Sequence, residues 1–135
     1  MSGRDVLAVF VGGGIGAAWR EALELGVADL PGGFPMPVFI ANMVAATIIG
    51  LVAGFIAAGG SVGGRMKLFV MTGFCGGLST FSSFIWGTEQ LLGDPAQRVT
   101  AIIYLVGSMV LGLLLVWAGH LGGERIGRGR STHAQ

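Results

Sequence analysis

The chain has 135 residues, of which 53% belong to the apolar set AVILMFWYC, 26 more are glycine and only 11% carry charge. Soluble proteins carry about 25% charged residues, and a domain this small has too much surface for so few charges to cover. The composition excludes a soluble globular domain and specifies an integral membrane protein. A formal net charge of +1 gives no basic footprint for a nucleic-acid partner. Cys75 is the single cysteine, which rules out an intrachain disulfide and a cysteine-based metal site.

Hydrocarbon about 30 Å thick calls for about 20 mostly apolar residues per spanning helix. The pattern predicts helices near 5–26, 37–58, 67–92 and 99–121. In the first, Val6 to Trp19 is uncharged; Arg20, Glu21 and Glu24 then crowd its far end, so Arg20 must snorkel or serve a purpose. Arg4, the apolar run after it and the small residues Gly16, Ala17 and Ala18 would also suit a secretory leader, but three further spans favour a retained helix. The proline- and glycine-rich cluster from Asp29 to Pro37 predicts a turn that stops one helix and pre-sets the next. Gly59 to Gly64 reads as a flexible link and Gly93-Asp94-Pro95 as a tight one. Gly122 to Gln135 reads as a basic, disordered tail. The whole chain, 1–135, reads as one transmembrane domain.

Along the first helix, Gly12-Gly-Gly-Ile-Gly-Ala superficially matches the dinucleotide fingerprint, which works only at a strand–helix turn. No second strand follows. Gly12 and Gly16, like Gly50 and Gly54, instead form G-x-x-x-G pairs that let helix backbones approach closely. In the second helix, Asn42 is the only asparagine of the chain. Such an amide serves either as interhelical glue or as a pair of donors to an anion.

The third span, Thr72-Gly-Phe-Cys-Gly-Gly-Leu-Ser-Thr-Phe-Ser-Ser-Phe, is too rich in glycine and hydroxyl residues for an ordinary helix. Gly76-Gly77 predicts a break there, since each glycine weakens a helix by about 1 kcal/mol. Broken backbone survives at membrane depth only when it is buried in protein or lines a water or ion site. Freed carbonyls suit a small cation; a glycine packing face with back-bonded hydroxyls is the alternative. Phe81 and Phe84 share a helix face, either as core and lipid contacts or as electropositive ring edges for an anion. On the fourth helix Tyr104 and Ser108 make a short hydroxyl stripe that runs on to Gly112. His120 and His133 read as interfacial and tail residues rather than ligands.

These residues resemble the Fluc (CrcB) fluoride channels of bacteria over nearly the whole chain. Gly12 to Arg20 is similar to the family's GGxxGAxxR, Asn42 in Phe39-Ile-Ala-Asn-Met stands at its second-helix asparagine, and Thr72 to Phe84 is close to TGFxGGxTTFSTF. The resemblance implies an all-α membrane protein of four transmembrane helices per subunit, broken in the third, paired as an antiparallel, dual-topology-type dimer with two fluoride pores. It also implies a structural Na⁺, not transported, held by the backbone carbonyls of Gly76 and Ser79. Phe81 and Phe84 would present ring edges to fluoride, Asn42 would donate to it, Tyr104 and Ser108 would begin a polar track, and Arg20 would draw anions to a vestibule. The implied function is passive efflux of fluoride across the inner membrane, with no catalysis. The partner would be an identical chain or an oppositely oriented paralogue. Ser79 stands where the family has Thr, which a carbonyl ligand tolerates; Gly87 replaces a common glutamate, and Gly112 a common hydroxyl.

The rival reading is a small multidrug-resistance-like exporter, which needs an acidic residue deep in the first span; Glu21 and Glu24 lie at its far end. Orientation follows from the basic residues. Arg4, Arg65, Lys67, Arg125, Arg128 and Arg130 fall on one side against Arg98, and Arg20 if it snorkels, on the other. Basic residues near spans stay cytoplasmic, which predicts both termini inside. Were Arg125 to Arg130 in a loose tail, the bias would fall to three against two and permit dual insertion.

Overall fold

The computed structural model describes residues 2–132. They form helix α1 (Gly3–Gly26), α2 (Met36–Ala57), a composite third rod, and α6 (Arg98–Thr132), which a 3₁₀ turn at Pro95–Gln97 introduces. The third rod comprises α3 (Gly64–Lys67), a π-helical stretch (Leu68–Phe74), α4 (Cys75–Leu78) and α5 (Phe81–Gly93). Four rods are therefore long and apolar enough to cross a membrane. The fold is that of an all-α, multi-pass membrane protein.

Local chemistry sets the ends of the rods. Gly32 and Gly33 take φ +88° and +75°, which only glycine adopts without strain, and the Gly33 N–H donates to the Leu30 carbonyl at 3.0 Å. This turn delivers Phe34 onto Phe39 and Tyr104, at ring separations of 5.4 and 5.1 Å, and so closes one end of the bundle. At the other end of α2, Gly59 at φ +86° lets the Gly60 N–H reach back to the Phe55 carbonyl at 2.9 Å. The Asp94 side chain accepts from the Ala96 N–H at 2.9 Å and starts the turn into α6.

Two glycine seams assemble the rods. Between α1 and the third rod, a Cβ on Gly16 would sit 2.7 Å from the Leu78 nitrogen, and one on Gly73 would sit 2.8 Å from the Val9 carbonyl oxygen. Gly77 lies against the backbone of Gly13. The glycine run of α1 is thus a packing face inside a helix. Between α2 and α6, Gly50 meets Val116 and Gly54 meets His120; a Cβ on Gly119 would lie 2.8 Å from the Thr47 carbonyl oxygen and one on Gly123 2.6 Å from the Phe55 nitrogen. Any side chain at these positions would force the helices apart. Two buried clusters fill the interior, one around Val38, Phe84, Leu91 and Tyr104 and one around Ala41, Ala45, Cys75 and Leu78.

Two expectations are corrected. The third rod does not break at Gly76-Gly77, which are helical; the extended residues are Ser79 and Thr80. The glycine pair lies beside α1, with Gly77 packed tightly enough that helix–helix contact outweighs its low helix propensity. Nor does α6 end near residue 121. It stays helical through Thr132, because Gly123 and Gly127 dock on the end of α2 and Glu124 pairs with Arg128 at 2.7 Å. His133 and the two residues after it lie outside the described residues.

Candidate functional site

The break is built from hydrogen bonds taken away from the helix. Ser79 (φ −74°, ψ 152°) and Thr80 (φ −148°, ψ 118°) are extended. The Asn42 amide replaces the missing ladder: its Oδ1 accepts from the Thr80 N–H at 2.8 Å, and its Nδ2 donates to the Thr80 carbonyl at 3.3 Å. The Thr80 hydroxyl caps α5, accepting from the Ser83 N–H at 3.2 Å and meeting the Ser83 hydroxyl at 3.1 Å. In an unbroken helix the Thr80 N–H would serve the Gly76 carbonyl and the Ser83 N–H would serve Ser79. Both donors are diverted to side chains, and among the described residues neither carbonyl accepts a hydrogen bond. The Ser79 hydroxyl points back to the Cys75 carbonyl at 2.8 Å, leaving its own carbonyl as the free group. Gly76 lies on an open face, where an added Cβ would meet nothing within 4 Å.

Beside the break, a groove of about 300 Å³ is lined by Asn42, Ser79, Thr80, Phe81 and Phe84, with the small walls of Ala45 and Ala46. The Phe81 and Phe84 rings are 6.2 Å apart, inclined at 41°. They differ in surroundings: Phe81 is 76% exposed on the outer face of the subunit, and Phe84 is 7% exposed. Phe84 also meets the Tyr104 ring at 5.1 Å. Tyr104 is fully buried, Ser108 nearly so, and the hydroxyls of both find no hydrogen-bond partner among the described residues. An unsatisfied hydroxyl in an apolar interior costs about a few kcal/mol, and two such groups lie one turn apart on α6. A Cβ on Gly112, one turn on, would lie 3.6 Å from the Met43 methyl, and the glycine adds no polar side chain.

Thus the structure brings Asn42, Ser79, Phe81 and Phe84 into one groove, with Tyr104 behind Phe84. Arg20 is placed differently. Its guanidinium donates to the Gly77 carbonyl at 3.5 Å and lies 3.8 Å from the Glu24 carboxylate. It therefore neutralises the C-terminal carbonyl end of α4 instead of snorkelling away. Two features escaped the sequence reading. Thr80 is the hub of the break, signalled only by its place three residues before Ser83. A larger cavity of about 660 Å³ lies at the closed end of the bundle among Glu24, Asp29, Ser83, Trp86, Gln90 and Asp94. Those residues are scattered through the chain and meet only when the turn at 30–34 folds back. His120, read as interfacial, lies 3.4 Å from Glu124 on α6.

These features define a small membrane protein of four spanning rods whose third is broken next to a largely apolar groove that carries Asn42, Ser79 and Thr80. The family model described as CrcB-like protein, Camphor Resistance (CrcB), matches residues 7–120, and the chain belongs to that family. It is 40% identical over 120 residues to a protein of Yersinia pseudotuberculosis named fluoride-specific ion channel FluC 3, covering 89% of each chain. It is 41% identical over 116 residues to FluC 2 of Nitrobacter hamburgensis, covering 85% of this chain and 93% of that one. Over 116 residues it is 36% identical to the fluoride-specific ion channel FluC of Pyrococcus furiosus, covering 86% and 93%. The family is one of channels, not of enzymes.

Proposed function

We propose that this chain conducts fluoride passively across the cell's inner membrane and so relieves cytoplasmic fluoride accumulation. The observation that carries the reading is the Tyr104 ring packed behind Phe84 at 5.1 Å, with its buried hydroxyl and that of Ser108, one turn along α6, both without a hydrogen-bond partner among the described residues. Fluoride is small and tightly hydrated, so a pore must replace its water with donors while avoiding a fixed buried cation that would trap it. Ring edges of Phe81 and Phe84, the Asn42 amide and these hydroxyls are such donors. Arg20 is engaged with the Gly77 carbonyl and paired with Glu24, which offsets its charge. The inside-negative potential drives an anion outward with about 2.3 kcal/mol per 100 mV, so no energy coupling is required.

The assembly belongs to the same proposal. The carbonyls of Gly76 and Ser79, both deprived of helical donors, suit a hard cation such as Na⁺, which would supply positive charge to satisfy them at an interface between two subunits. The open face at Gly76 and the exposed Phe81 support a second chain packed antiparallel on this side. That chain is a copy of this one or an oppositely oriented paralogue.

The test is efflux from liposomes loaded with potassium fluoride or potassium chloride and triggered with a potassium ionophore. Fast fluoride release with chloride at the protein-free rate is expected. Equal release of both ions, or none of either, overturns the reading.

A further inference from the structure

We infer that the exposed face of α6, where the helix leaves the membrane, seats an anionic phospholipid, with an acyl chain along Leu114, Trp117 and Leu121 and the headgroup phosphate on Arg125. This surface is separate from the groove and stands whether or not the groove conducts fluoride. α6 carries two faces. Gly119, Gly123 and Gly127, four residues apart, are buried against α2, and a Cβ on Gly127 would lie 2.8 Å from the Ala58 Cβ and 3.0 Å from the Phe55 carbonyl oxygen. Leu114, Trp117, Leu121, Arg125 and Arg128 recur three or four residues apart on the other face, and all are exposed. At about 1.5 Å per residue, Val99 to Leu121 spans about 33 Å, close to the hydrocarbon thickness. Arg125 and Arg128 then stand about 6 and 10 Å beyond it, at the depth of the lipid phosphates, with Trp117 about 6 Å inside.

The charges at this end call for a partner outside the chain. Arg4, Arg65 and Lys67 lie at the same end, whose carboxylates are Asp5 and Glu124, and both are occupied. Asp5 lies 3.7 Å from Arg65, and Glu124 lies 2.7 Å from Arg128. Among the described residues, Arg4, Lys67 and Arg125 have no ion pair. The opposite end is the reverse, with the five carboxylates between Glu21 and Asp94 set against Arg20 and Arg98. The subunit is therefore basic at one end and acidic at the other. A soluble anion would meet Arg125 but leave the apolar stripe beside it unmatched. A phospholipid matches both: its tail covers Trp117 and Leu121, and its phosphate fits the guanidinium fork. Each basic group beside an anionic membrane surface contributes about fivefold to such an attraction.

The test reconstitutes the full chain in phosphatidylcholine vesicles holding a minor share of phosphatidylglycerol, with one lipid or the other brominated on its acyl chains so that it quenches tryptophan on contact. Trp19→Phe and Trp86→Phe, both at exposed positions, leave Trp117 as the single tryptophan. The ratio of the two quenching values gives the lipid composition beside Trp117. At low salt, phosphatidylglycerol should be enriched there by about threefold or more over its bulk share. Arg125→Gln, which leaves the Glu124–Arg128 pair in place, should bring the composition close to bulk, and Arg125→Lys should keep most of the enrichment. Salt at about 1 M, where the screening length falls to about 3 Å, should act as Arg125→Gln does. The salt arm decides should Arg125→Gln fail to fold. Bulk composition at Trp117 before any arginine is changed, or enrichment that survives both Arg125→Gln and salt, overturns the proposal. So does enrichment lost to inorganic phosphate but not to chloride at equal ionic strength, which would mark a site for the free ion. Shielding of Trp117 from both brominated lipids would also overturn it and assign this face to a second copy of the chain.

Discussion

The α2–α6 seam and the third rod are both lined with glycine, yet they end as opposites. In the seam, two uninterrupted helices lie backbone to backbone, and every glycine substitutes space for a side chain. In the third rod, close contact with α1 is followed by an opened ladder, with carbonyls at Gly76 and Ser79 that accept no hydrogen bond among the described residues. Glycine alone does not make a break. The difference lies in what stands opposite: at the seam glycines α6 offers α2 backbone, as at Val116 and His120, whereas α2 offers the third rod Asn42, an amide that competes for Thr80. Lipid cannot satisfy a freed peptide group, so an opening is stable only where such a competitor is positioned.

Substitutions on either side should separate scaffold from pore. The largest effect is expected from Gly54→Leu, whose side chain would collide with the His120 backbone. Overpacking a rigid backbone contact costs about 1–3 kcal/mol, and more where neither helix can move. Loss of monodisperse, folded protein in detergent is the expected outcome; wild-type thermal stability would show that the seam is loose.

Phe81→Ile and Phe84→Ile keep apolar bulk but remove the positive ring edge, so each should cut fluoride efflux by about tenfold or more. They should differ in stability. Phe84 packs on Tyr104 in the core and its loss should lower the melting temperature, whereas the exposed Phe81 should not. Unchanged efflux in both variants would sink the pore assignment.

A finer test sets Gly76 against its neighbour Ser79. A Cβ at Gly76 meets nothing within 4 Å in its own subunit and the backbone there is helical, so in Gly76→Val a single subunit should fold normally. Damage should fall on dimer assembly and sodium dependence. Ser79→Ala loses only the bond to the Cys75 carbonyl, worth about 1 kcal/mol, and should keep efflux and its sodium dependence. The reverse result, with Ser79→Ala losing sodium dependence and Gly76→Val behaving as wild type, would refute carbonyl ligation.

The smallest effect concerns orientation. Because α6 remains helical past the end of α2, Arg125 and Arg128 are held next to the span and count toward the positive side. A cysteine placed in the tail of a Cys75→Ala protein should therefore be mostly protected from outside reagent in intact cells. Arg125→Gln with Arg128→Gln should raise outside labelling about twofold. Equal labelling from both sides before any arginine is changed would show that insertion is unbiased.

The sequence by itself determined the class and the span count, because charge-free runs of span length have one stable solution in hydrocarbon. It also marked Asn42, Phe81, Phe84, Tyr104 and Ser108, since polar or paired aromatic groups in such runs are few enough to name. It misplaced the break and cut α6 short for the same reason. Local propensity treats glycine as a helix breaker, but at Gly77, Gly123 and Gly127 the close approach of a second backbone reverses that preference. Only the tertiary structure decided where the ladder opens. Asn42 and Thr80 are far apart in sequence, and which peptide loses its helical partner depends on which one the packed α2 helix brings within reach of an amide.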